Sequence, residues 1–134
     1  MDNSAQQRGL ASGSASRAGA APDDAIVIVD SGGIIISWSP AAEKLLGYPA
    51  HAAVGRSLAL IIPPKHLPRH ATGFHKAINA AHLANGGRPT RVTATTADGR
   101  LMPLTMTLSF WGLSARGVSG VVAVLQRAGF SAFV

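Results

Sequence analysis

Four of the five histidines in this 134-residue chain lie between Pro63 and Gly87, at positions 66, 70, 75 and 82. A neutral imidazole is the side chain best suited to holding a metal near neutral pH, so this stretch is where chemistry is sought first. Pro68 suits a first helical position and Asn85-Gly86-Gly87 supplies a left-handed stop, which predicts a helix of about four turns between them. On it Leu67, Ala71, Phe74, Ile78 and Ala81 form an apolar stripe, with His70 on one flank and His82 on the other. His70 is also in the first turn, where the helix dipole disfavours an added proton and leaves a lone pair for a metal. The same spacing equally fits solvated flank residues of an ordinary core helix. His66, His70 and His75 make a poor zinc set, because Pro68 interrupts them and no acid or thiolate completes it.

Other chemistries are thinly represented. With no cysteine there are no disulfides, thiolate metal sites, Cys nucleophiles or thiol-adduct photochemistry. Six scattered acids assemble neither paired carboxylates nor a Ser/His/Asp arrangement, so no catalysis is expected and a binding module is preferred to an enzyme. The net charge of +6 invites a nucleic-acid reading, but the arginines are spread singly and lack interleaved aromatics. Lys65, Arg69 and Lys76 make the one local concentration, suited to phosphates or to the carboxylates of a ligand. Nucleic acid is therefore disfavoured as a partner. No apolar run is long enough to span a bilayer and no export signal opens the chain, so a soluble cytoplasmic protein without membrane contact is expected.

The elements that must position these residues can be read in order. Residues 1–22 are rich in Ser, Ala, Gly and Gln and are expected to be a flexible tail, which leaves roughly 110 residues for a single core. Two β-branched runs, Ala25 to Val29 and Gly33 to Trp38, flank Asp30-Ser31-Gly32 and read as a hairpin. Ser39 caps a short helix that starts at Pro40 and ends at Gly47, with Glu43 near enough to its start to favour the dipole. Short helical turns follow over His51 to Ile62. After the central helix come a strand over Arg88 to Ala97, a two-residue turn at Asp98-Gly99, and a strand of period two. In that strand Met102, Leu104, Met106, Leu108 and Phe110 face the core. Gly120 to Leu125 is nearly continuously apolar and belongs in the sheet centre. Residues 128–134 form a short tail.

Two strands, small helices, a longer helix and three strands are the PAS order, and particular residues strengthen the match. Ala25 to Asp30, Gly32 through Tyr48 and Val54-Gly55-Arg56-Ser57 resemble the opening of PAS sensor domains, and Asp98-Gly99-Arg100-Leu101-Met102-Pro103 resembles their turn between the third and fourth strands. The resemblance covers residues 23–127 and implies an α+β fold, a five-stranded antiparallel sheet with helices over one face. Ser39 stands where many PAS domains carry Asn.

Pro68-Arg69-His70-Ala71-Thr72-Gly73-Phe74 further resembles the Arg-His segment of haem-binding oxygen-sensor PAS domains of two-component kinases. That likeness implies haem b ligated by His70, with Phe74, Leu104, Met106 and Leu108 around it and Lys76 near a propionate. It also implies sensing of a diatomic gas, with the change passed through a homodimer or to a signalling partner protein. Those sensors carry an Arg on the third strand above the haem. Here the ungapped register gives Thr90, and Arg91 serves only if the preceding loop absorbs a residue. Without it the pocket is dry and poor in donors, which favours CO or NO over O₂. Met106 packs against the haem, or ligates it through its thioether. The alternative is a PAS module for dimerisation or partner binding, its cavity filled by its own side chains or a small organic acid. Non-covalent flavin beside Trp38 or Trp111 is a further alternative.

Overall fold

A computed structural model describes residues 24–83 and 86–128. The sheet is built from β1 (Ala25–Asp30), β2 (Ile35–Trp38), β3 (Thr90–Thr95), β4 (Leu101–Trp111) and β5 (Gly120–Arg127), all antiparallel in the order β2-β1-β5-β4-β3. Between β2 and β3 run α1 (Pro40–Leu46), α2 (Ala50–Ala53), two 3-10 turns (Leu58–Ile61 and Pro64–His66) and α3 (Leu67–Ala80). The expected α+β architecture is present, with the apolar β5 at the centre of the sheet. The tails at 1–22 and beyond Ala128 lie outside the described residues.

Local chemistry fixes the first half. Asp30 turns the β1–β2 connection by accepting backbone N–H bonds from Gly32 and Ile34, each 2.9 Å, with Gly33 at φ 83°. Ser39 accepts from Ala42 N–H at 3.2 Å as the α1 cap and also from Ile26 N–H at 2.9 Å, so one hydroxyl ties the helix to β1. Gly47 ends α1 in the left-handed region. Glu43 does more than favour a dipole: its Oε2 accepts from Ala50 N–H at 2.6 Å and pins the start of α2. The β2 edge is covered by the 54–58 segment, where Gly55 N–H donates to Ile35 O and Ile35 N–H to Arg56 O.

The core lies between the sheet and α1. Ile35, Leu46, Leu104 and Val27 are its fully buried large side chains, with Trp38 donating its indole N–H to Tyr48 O at 2.8 Å. At the other end of the sheet, Trp111 and Gly120 are cross-strand partners. The Trp111 indole reaches over Gly120 to donate to Val29 O at 3.0 Å, and a Cβ on Gly120 would collide with that carbonyl.

Two boundaries differ from expectation. The β3–β4 turn is a three-residue loop, Ala97-Asp98-Gly99, closed by Thr96 N–H to Arg100 O at 2.8 Å, with Gly99 at φ 84°. That is the three-residue hairpin with a left-handed third residue rather than the two-residue turn. Thr96 is buried and donates its hydroxyl to Asp98, which together with Arg100 at 3.0 Å holds the Asp98 carboxyl below the usual carboxylate range. Secondly, α3 stops at Ala80 rather than running to the Asn85-Gly86-Gly87 stop. Ala81 takes φ 51°, and its N–H and that of His82 fold back onto Ile78 and Ala77 carbonyls. Beyond Ile78 the helix has nothing left to bury, since Asn79, Ala80, Ala81 and His82 are all exposed.

Candidate functional site

Helix α3 presents one face to the sheet without a single fully buried side chain. Its half-buried residues are Leu67, His70, Phe74, Ala77 and Ile78, whereas Ala71 and Ala81 are exposed. The inward stripe is thus rotated from the expected one. It carries His70 within it rather than on a flank, and His82 lies outside it. His70 and Phe74, one turn apart, stack with ring centroids 6.2 Å apart and planes 24° from parallel. Phe74 also approaches Gly33: a Cβ added there would lie 3.8 Å from the Phe74 ring. Burial, rather than the helix dipole invoked from the sequence, pushes the His70 pKa below its ordinary value of 6.5. A neutral imidazole with a free lone pair is the result.

The sheet offers an apolar wall. By register, Thr90, Val92, Leu104, Met106 and Leu108 share one face with the core residues Val27 and Leu125. Leu104 is fully buried, but Met106, Leu108 and Phe110 on the interior strand β4 and Val92 on the edge strand β3 are only half-buried although they pack against the core. Half-buried apolar side chains on the helix side of the sheet thus accompany a helix that buries none of its own side chains fully.

The remaining predicted residues fall elsewhere. Arg91 pairs with Thr105 on the opposite face of the sheet and is exposed, so the structure does not bring it to the His70 side. Thr90 takes the inward place opposite Met106, with its hydroxyl donating to Arg88 O at 3.2 Å. Lys76 is exposed and lies about 200° around the helix from Phe74. Trp38 is held in the core by Tyr48, and Trp111 is on the outer sheet face, so neither is free to lie against a flavin ring. Sequence reasoning missed Val92 and Ala77. Val92 was detectable, since it shares the Leu104 register. No group of three His, Cys, Asp or Glu suited to a metal occurs among the described residues. A cleft of about 520 Å³ between α1 and the end of β5, lined among others by Lys44, Leu45, Leu125 and Arg127, contains none of the predicted site residues. No helix of the described residues is long and apolar enough to cross a membrane.

Comparison with known proteins identifies the fold. Over 89 residues, 64% of this chain, it is 33% identical to an uncharacterized protein of Azorhizobium caulinodans, of which the match spans 12%. Over 87 residues, 63% of the chain, it is 29% identical to sensor protein FixL of Bradyrhizobium diazoefficiens, of which the match spans 17%. The chain therefore corresponds to less than a fifth of either relative's length. In three dimensions it is similar to the PAS domain of a Colwellia psychrerythraea protein, with TM-score 0.67 at 20% identity over 78% of this chain and 86% of that one. It is also similar to a fungal LOV domain photoreceptor, with TM-score 0.61 at 20% identity over 81% of this chain and 78% of that one. Both structural likenesses concern the fold. The family described as PAS fold matches residues 20–127, the whole described sheet and all its helices, and the chain belongs to that family.

Proposed function

We propose that this PAS domain is a sensor that holds haem b through His70, responds to a diatomic gas, and signals through contacts between two copies of the chain. One observation carries the reading: the only half-buried histidine among the described residues sits on the inward face of α3 with its protonated form disfavoured. On the helix side of the sheet, Val92, Met106 and Leu108 leave apolar surface that a flat hydrophobic macrocycle would cover. Haem, when bound, supplies an iron centre able to take a diatomic ligand. The protein's own residues set the conditions. His70 offers a neutral donor, Phe74 fixes the imidazole plane by stacking, and Met106 and Leu108 keep water from the sheet side. Met106 acts here as a flexible hydrophobe. The similarity to a relative named as a sensor protein supports the same reading.

The test is the absorption spectrum of the purified protein supplied with haem. A Soret band is expected in wild type and in His75→Ala, whose imidazole is exposed, and its loss in His70→Ala with the far-UV dichroism unchanged. Haem content undiminished in His70→Ala would overturn the ligand assignment. A second reading rests on the Phe74–His70 stack itself: the side chains fill the cavity, and the domain serves partner binding or dimerisation without a cofactor. A colourless wild type under the same conditions selects it.

A further inference from the structure

The outward face of α3 has a character that the haem reading leaves unused. Between Glu43 and Asp98 the sequence contains no carboxylate at all, but three lysines and four arginines. Lys65, in the 3-10 turn before α3, and Arg69 and Lys76, on α3, are all exposed. Arg69, Gly73 and Lys76 fall within about 60° of one another around the helix, on the side away from Phe74. Arg69 and Lys76 are two turns apart, about 10.5 Å along the axis.

Gly73 lies between these cations without an internal reason to be glycine. It is exposed, its φ is not left-handed, and a Cβ there would meet nothing within 4 Å. An exposed mid-helix glycine costs about 1 kcal/mol relative to alanine, so the position forgoes helix stability and keeps the surface low between the charges. Thr72 beside it turns its hydroxyl back to Pro68 O at 3.1 Å and adds no outward polar group.

We propose that this face docks an acidic α-helix of a partner protein, with carboxylates paired to Lys65, Arg69 and Lys76 and the partner's backbone closing over Gly73. Charge complementarity chooses the sign of the partner. The two-turn spacing matches i, i+7 positions of a helix running alongside, and the missing side chain at 73 permits the close interaxial approach of about 8 Å. A nucleic acid fits less well, because the outward residues of α3 include no Phe, Tyr or Trp on which bases stack. A membrane fits less well, because no large apolar residue faces outward to enter the lipid. This surface is separate from His70, so the proposal stands or falls independently of haem.

The probe is a fluorescein-labelled helical peptide of about 25 residues with glutamates repeating every three and four positions on one face, followed by anisotropy at about 0.1 M salt. Wild type is expected to bind it more tightly than a DNA duplex of equal length or vesicles containing phosphatidylserine. Arg69→Glu/Lys76→Glu is expected to weaken peptide binding at least about tenfold. Gly73→Leu, which changes no charge and raises helix propensity, is expected to weaken it by a comparable factor while leaving the unfolding midpoint unchanged or higher. Tighter binding to the duplex or the vesicles, no binding of the peptide, or full binding by Gly73→Leu would each overturn the proposal.

Discussion

His70 links the candidate site to stability through its proton. Its folded-state pKa is depressed by burial, so the native state binds fewer protons than the unfolded chain in the window just below about 6.5. The stabilising contribution of the neutral ring is complete above that value and is lost as pH falls from there toward the folded pKa. Urea midpoints measured over about two pH units around the ordinary imidazole value should decline with falling pH more steeply in wild type than in His70→Gln. Equal slopes would mean that His70 is solvated in the native state. Arg91 makes a second test at this scale. It is exposed on the face of the sheet opposite Met106, so under the proposed haem binding Arg91→Ala should leave the ratio of CO to O₂ affinity as in wild type. A changed ratio would require β3 to pair one residue out of its observed register. The sequence made Leu67, Phe74 and Ile78 legible as inward residues but misplaced His70. The reason is that Ala71 and Ala81, which helped to centre the expected stripe, have too little apolar surface to fix a helix's rotation. Large side chains and the sheet decide it, and they turn Ala71 out and Ala77 in.

Among the elements, β5 depends on an absence. Trp111 crosses it to reach Val29 O only because Gly120 has no side chain, and the close approach joins β4 to β1 over the intervening strand. Gly120→Ala should destabilise by about 1–3 kcal/mol through overpacking, and Trp111→Phe by about 1 kcal/mol through the lost hydrogen bond. Because both changes disturb one contact, the double variant should cost less than the two single costs added, as read from denaturant midpoints. Strict additivity would show that the indole and the glycine act separately. This contact was beyond sequence reading, since it joins residues 82 positions apart. The strands themselves were legible because period-two patterning is a local property. The β3–β4 turn was only partly so: Asp98-Gly99 announces a reversal, but whether two or three residues form it depends on Thr96, whose hydroxyl accepts from Arg100 N–H at 3.2 Å and anchors the wider loop.

The whole molecule leaves the outer face of its sheet apolar. The three strands at its middle, β1, β5 and β4, put Ile26, Ile28, Val122, Val124 and Thr107 there, all half-buried, beside Trp111. Helices cover only the opposite face, so this surface is apolar without an intramolecular layer over it among the described residues. A stable homodimer needs about 800 Å² from each copy, an area that a five-stranded sheet face can supply. Val124 lies at the middle of the patch, paired to Ile26 on one side and Thr107 on the other. A glutamate there would be stranded without a partner in a two-fold contact, and in the monomer it would still reach solvent. Light scattering should therefore give wild type twice the 13.7 kDa chain mass and Val124→Glu the single mass, with matching far-UV dichroism. Leu125→Glu, one residue along but on the buried face, should instead lose the fold, which separates loss of contact from loss of structure. Wild type scattering as a monomer at high concentration would remove the dimer from the signalling scheme, and an unchanged dimer in Val124→Glu would move its contact to another surface.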